Sequence, residues 1–132
     1  MTADQYEATA AVLEETPEAV LVGNLGVASY VLAAVLDRDR NLYQWGSMGV
    51  TTPLGLGVAL GTDDPVTVLD GDGSMLMSLG SLSTVRGVDP SNLVVVVFDN
   101  AVYGTTGGQP THAPETDFAA AAEACGLPGT TV

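Results

Sequence analysis

An aspartate between two glycines, Gly71-Asp72-Gly73, with Ser74 behind it, and a second polar pair, Asp99-Asn100, are the residues whose types best suit chemistry. Asp72 offers a hard carboxylate oxygen and Asn100 an amide oxygen, ligands that magnesium accepts beside phosphate oxygens. Glycines flanking the carboxylate let the backbone approach an anion closely, and a helix starting near Ser74 would aim free N–H groups at it. The chemistry implied is retention of a magnesium-bound diphosphate. Alone, a Gly-Asp-Gly tripeptide is more often an ordinary turn, so the surrounding elements carry the weight.

The apolar run 66–69 leads into the first cluster and 93–98 into the second, which puts both at strand ends. In an open parallel sheet, ligands bind in the crevice beyond those carboxyl ends. The pattern along the chain predicts helices over residues 4–14, 28–36, 52–60, 74–85 and 117–124, and strands over 19–22, 42–45, 66–69 and 93–98. Strands alternating with helices imply a parallel sheet covered on both faces, a three-layer α/β/α doubly wound domain. Residues 99–116 form a loop that starts at the proposed metal site. Loops longer than about 12–15 residues are usually functional or disordered, and this one reads as part of an active site.

The interval between the clusters is specific. Residues 74–99, 26 in number, separate Gly73 from Asn100, and in this the chain resembles the thiamine diphosphate-dependent enzymes, whose signature is Gly-Asp-Gly, about this interval, then Asn. The resemblance implies the thiamine diphosphate-binding fold. It also implies that Asp72, the Asn100 side chain and the backbone carbonyl of Val102 bind magnesium, with Gly71, Gly73 and Ser74 at the diphosphate. Gly46-Ser47-Met48-Gly49 strengthens it: the family's corresponding Met is the apolar wedge under the bent coenzyme, and the carbonyl two positions earlier accepts from its aminopyrimidine. Those roles fall on Met48 and Gly46, with Ser47 between them; the alternative for Met48 is a gap-filling core residue.

The segment from Tyr103 to Thr111 narrows the resemblance to sulfopyruvate decarboxylase beta subunits and the C-terminal half of phosphonopyruvate decarboxylases. It spans residues 20–132, and Tyr103 joins the cofactor-binding set. Gly23-Asn24-Leu25-Gly26 has the glycines and amide suited to a diphosphate terminus, although Asn24 also fits a turn former or cap. Where the family tends to carry Ser-Arg, this chain reads Ala28-Ser29-Tyr30, so a basic contact is missing. Asp70 and Asp99 flank the metal motifs and read as supporting or capping residues. His112, the single histidine, is a candidate proton carrier set against the commoner exposed loop histidine.

The implied reaction is decarboxylation of a small 2-oxo acid, with the cofactor as electron sink. In this family the glutamate that activates the cofactor lies in a different domain. The expectation is therefore a hetero-oligomer with an alpha subunit that carries the pyrimidine-binding domain. Of the rival readings, phosphonopyruvate decarboxylase changes only the acid, and a catalytically silent cofactor-binding module changes the class. An oxidoreductase beta subunit would share the fold, but the single Cys125 cannot hold an iron–sulfur cluster.

The chain has 132 residues, enough for one core. The expectation is a single diphosphate-binding domain over 1–132, cut short at residues 129–132, which read as the start of a further strand. Sixteen acidic residues face Arg38, Arg40 and Arg86, with no lysine, for a formal charge of −13. That balance disfavours nucleic acid and anionic membranes as partners and suggests a halophilic host in which salt screens the repulsion. The longest apolar run is too short to span a bilayer, and the acidic N-terminus is unlike a secretory signal; a cytoplasmic location is expected.

Overall fold

In the computed structural model, which describes residues 4–132, Asp4 caps the first helix by accepting the backbone N–H of Tyr6 at 2.7 Å. That helix, α1 (Gln5–Glu15), precedes β1 (Val20–Gly23), α2 (Val27–Val35), β2 (Asn41–Tyr43), α3 (Thr51–Leu60) and β3 (Val66–Gly71). Two short helices follow, α4 (Asp72–Met77) and α5 (Ser81–Val88), then β4 (Leu93–Phe98). The chain continues through two-residue strands β5 (Val102–Tyr103) and β6 (Gln109–Pro110), a 3-10 turn at Ala113–Glu115, and α6 (Phe118–Ala124).

β1 to β4 form one parallel sheet in the order β2-β1-β3-β4. Successive strand residues point to opposite faces, and the apolar residues divide accordingly. Leu21 and Leu69 pack with Leu13, Ala19 and Leu32 beneath α1 and α2. Val22, Val66 and Val68 pack with Ala59 on the other face, beneath α3. These strands are continuous apolar runs rather than alternating ones because both faces are covered. The expected three-layer α/β/α architecture is what the chain adopts. α3 lies so close to the sheet that a Cβ on Gly55 would sit 2.0 Å from Val68 Cγ2.

The strand order fixes where a ligand could sit. The chain leaves β1 toward one edge to make β2, then crosses to the other side of β1 to make β3. The switch point therefore falls between β1 and β3, beyond Gly23 and Gly71, where such sheets open a crevice.

Four expectations are corrected. β3 runs through Asp70 and Gly71, because both keep register with Val97 and Phe98 of β4, so the following helix begins at Asp72 rather than Ser74. The single helix expected over 74–85 is two helices, interrupted between Met77 and Ser81; there the Ser78 hydroxyl donates to the Gly49 carbonyl instead of leaving the turn to continue. The 99–116 segment is not wholly irregular, since Val102 and Tyr103 pair antiparallel with Pro110 and Gln109. Residues 129–132 carry no strand.

All three arginines serve the frame. Arg38 donates to the carbonyls of Pro17 and Ala19 at 2.5 and 2.7 Å, Arg40 pairs with Asp64 at 2.7 Å, and Arg86 pairs with Asp89 at 2.7 Å. No helix among the described residues is long and apolar enough to cross a membrane.

Candidate functional site

β3 hands the chain to α4 at Asp72, whose side chain is 3% exposed. Its Oδ2 accepts a hydrogen bond from Thr111 Oγ1 at 2.6 Å. Thr111 is itself buried, and its hydroxyl accepts the backbone N–H of Ala113 at 3.2 Å. Thus the residue just after β6 reaches across to orient the carboxylate at the end of β3. Two residues before it, Asp70 is fully buried and satisfied by two donors, Thr52 Oγ1 at 2.8 Å and the Gly71 N–H at 2.9 Å.

At the end of β4 the backbone turns sharply, with Ala101 at φ +61°. Two side chains hold the turn: Asp99 Oδ1 accepts the N–H of Ala101 at 3.1 Å, and Asn100 Oδ1 accepts the N–H of Val102 at 3.0 Å. Both are local side-chain turns of the kind Asp and Asn favour. The Asn100 oxygen keeps a second lone pair. Tyr103, the next residue of the hairpin, lies over Gly73, where a Cβ would approach its Cε1 to 2.3 Å. Glycine at 73 is thus demanded by close approach.

Asn24, Gly71, Asp72, Gly73, Ser74, Asn100, Val102 and Tyr103 line one cleft, together with Met48. Asn24 Oδ1 accepts the N–H of Leu25 at 2.8 Å, which makes it a turn former as well as a cleft residue. Ser74 is 1% exposed and its Oγ accepts the Gly49 N–H at 3.1 Å, tying the start of α4 to the 46–49 loop. Gly46 and Ser47 do not line the cleft. They stand on an adjacent shallow depression with Gln44, Trp45, Val50, Pro53 and Leu54.

His112 does not reach the cleft either. It is exposed, and its contribution is a carbonyl that accepts from Glu115 N–H and Thr116 Oγ1, closing the 3-10 turn. Ser29, in the triplet without a basic residue, is buried, and its hydroxyl lies 2.7 Å from the Asn24 carbonyl and 3.1 Å from that of Gly23.

Sequence reasoning missed the threonines. Thr51, Thr52 and Thr111 are buried polar residues that hold Asn24, Asp70 and Asp72 respectively. Their one visible signal was the adjacent hydroxyls of Thr51 and Thr52 at the start of an otherwise apolar helix. Gln5, from α1, also lines the cleft.

Asp70 and Asp72 bring negative charge to this cleft, and no Arg, Lys or His lines it among the described residues. Nor do these residues hold a cluster of three His, Cys, Asp or Glu side chains. A dication would thus rely on one carboxylate, one amide oxygen and backbone carbonyls, an all-oxygen set suited to a hard ion that keeps other ligands. Away from the cleft, on edge strand β2, the Tyr43 hydroxyl titrates above its ordinary value, chiefly through burial and next through its hydrogen bond to Asp37.

Comparison with known proteins matches residues 22–132 to the family described as thiamine pyrophosphate enzyme, C-terminal TPP binding domain. The sulfopyruvate decarboxylase subunit beta of Methanocaldococcus jannaschii is 49% identical over 109 residues, covering 82% of this chain and 58% of that subunit. The subunit of the same name from Methanococcus maripaludis is 38% identical over 127 residues, covering 96% of this chain and 69% of its own length. The phosphonopyruvate decarboxylase of Streptomyces viridochromogenes is 50% identical over 115 residues, but the chain spans only 29% of it.

Proposed function

The chain belongs to the thiamine pyrophosphate enzymes, through their C-terminal TPP binding domain, and on that premise we propose that it is the cofactor-holding subunit of a 2-oxo acid decarboxylase. Its substrate is sulfopyruvate, converted to sulfoacetaldehyde and carbon dioxide on the route to coenzyme M in the cytoplasm. Residues 1–132 act as one diphosphate-binding domain.

The observation that carries this reading is the convergence of Asp72, Asn100 and Val102 on one cleft at the ends of β3 and β4. The donor set fits magnesium and a diphosphate. A buried carboxylate without a basic neighbour calls for a cation, and the three oxygens of the Asp72, Asn100 and Val102 set are the hard ligands magnesium takes. Gly71, Gly73, Ser74 and Asn24 would face the diphosphate, and glycine at 73 lets the Tyr103 ring close over the cleft beside them. Met48 would support the coenzyme from below and Tyr103 would wall the cleft. The Gly46 carbonyl would accept from the aminopyrimidine, with Ser47 shaping that turn.

When bound, thiamine diphosphate supplies an electron sink for the bond pair freed as carbon dioxide departs. This chain's part is to bind, orient and exclude water. The activating glutamate, the proton donor and the positive charge that recognises an anionic acid come from a partner, an alpha subunit bearing the pyrimidine-binding domain. The subunit names of the relatives support such a partner. A phosphonopyruvate substrate is the second reading, favoured by the 50% identity to the Streptomyces enzyme.

The test is to purify the tagged full chain from its host at high salt, identify by mass spectrometry what accompanies it, and assay the complex with both acids. Release of carbon dioxide from sulfopyruvate alone supports the first reading. Release from phosphonopyruvate alone supports the second, and inactivity toward both with a companion present sinks the decarboxylase assignment.

A further inference from the structure

Gln44 makes a set of contacts that a metal site does not require. Its backbone is fixed just beyond β2, where its N–H donates to the Gly23 carbonyl at 3.0 Å. Its side-chain Nε2 donates to the carbonyls of Gly46 at 2.5 Å and Ser47 at 2.6 Å. Its Oε1 accepts from Thr51 Oγ1 at 2.7 Å. The Thr51 hydroxyl also lies 2.9 Å from Asn24 Oδ1. Thr51 is 0% exposed and Asn24 5%, so this polar chain starts at the exposed rim loop and becomes buried on its way to the switch point between β1 and β3.

Building on the cofactor reading above, we infer that Gln44 is a positioning residue that holds the loop carrying Gly46 and Met48 in register with the diphosphate end of the cleft. Two neighbouring carbonyls turned the same way repel, and one amide NH₂ with two protons can bridge both. Each carbonyl retains a second lone pair, so the Gly46 oxygen stays able to accept from a ligand amine while Gln44 fixes its direction. Ser47 sits at φ +62°, a left-handed conformation that a serine keeps only when its surroundings hold it there. Thr51 has a single proton for two acceptors, so it satisfies Gln44 or Asn24 at any moment. When the Gln44 amide is removed, Thr51 still donates to Asn24, so the diphosphate end keeps its hydrogen bond while the rim loop loses its own.

The test titrates the full chain with thiamine diphosphate plus magnesium and, separately, with inorganic diphosphate plus magnesium, in wild type, Gln44→Met and Gln44→Glu. Calorimetry gives the affinities, and the fluorescence of Trp45, the one tryptophan and 89% exposed beside Gly46, reports the loop. Gln44→Met keeps the volume without the amide. Gln44→Glu keeps an acceptor for Thr51 but turns a carboxylate toward two carbonyls. Both variants should bind thiamine diphosphate about tenfold more weakly, with inorganic diphosphate affinity unchanged and a shifted Trp45 emission. Equal thiamine diphosphate affinity in all three proteins, or parallel losses for both probes, would overturn the inference. Failure of the wild type to bind thiamine diphosphate both alone and with its partner subunit would overturn the cofactor reading itself.

Discussion

Thr111 Oγ1 donates to Asp72 Oδ2 at 2.6 Å across 39 positions of sequence, and both side chains are buried. This single bond joins the hairpin region to the carboxylate at the end of β3. Thr111→Val, which keeps the shape and removes the donor, should weaken magnesium-dependent cofactor binding about ten- to hundredfold. Calorimetry at fixed cofactor and varied magnesium would show it, with circular dichroism unchanged.

Asp72→Ala and Asn100→Ala should each abolish magnesium-dependent binding of thiamine diphosphate while leaving the fold intact. The ligand set proposed here has no other acidic side chain to take over from Asp72. If both variants bind as the wild type does, the metal assignment is wrong.

Met48 is half-buried and lines the cleft. In the assembled enzyme Met48→Ala should lower kcat about ten- to hundredfold, as small misplacements of reacting groups do, and leave the affinity for inorganic diphosphate unchanged. A loss confined to cofactor affinity would argue for a holding role instead.

Gly55 faces Val68 at a distance no Cβ can share. Gly55→Ala should therefore force α3 away from β3 and cost about 1–3 kcal/mol, the usual penalty of overpacking. Urea unfolding would read this as a lowered midpoint at constant slope, and a raised midpoint would mean that helix propensity outweighs the clash.

A formal charge of −13 on 132 residues sets strong self-repulsion against the fold. Added potassium chloride should raise the melting temperature steadily toward molar concentrations, where the screening length shrinks to about 3 Å. Full stability in dilute buffer would sink the halophilic reading.

Much of the frame was legible in the chain. The run Leu93–Phe98 matches β4 from end to end, since six apolar residues are bounded by Asn92 and Asp99, which side with turns. The cleft residues at strand ends followed from the same pattern. What sequence could not show was set by tertiary contacts: Ser78 breaks its helix on reaching the Gly49 carbonyl, and Asp70 stays in β3 because β4 pairs with it. Sequence placed His112 in this loop but could not show that the 3-10 turn that follows holds it at the surface. Thr111 gave no local signal because its partner lies on a different strand end.

Leu21 and Val22 are joined by a peptide bond, yet they serve the two separate apolar clusters on opposite faces of the sheet. Leu21 instead shares its cluster with Leu69, far along the chain. Substitutions in one cluster share a cavity and compound non-additively, whereas Leu21 and Val22 share no side-chain packing partner. Energetic kinship here runs across the strands and not along them. Each helical layer can thus drift in sequence without retuning the other, while the β3 backbone between them still delivers Asp72 to the same place.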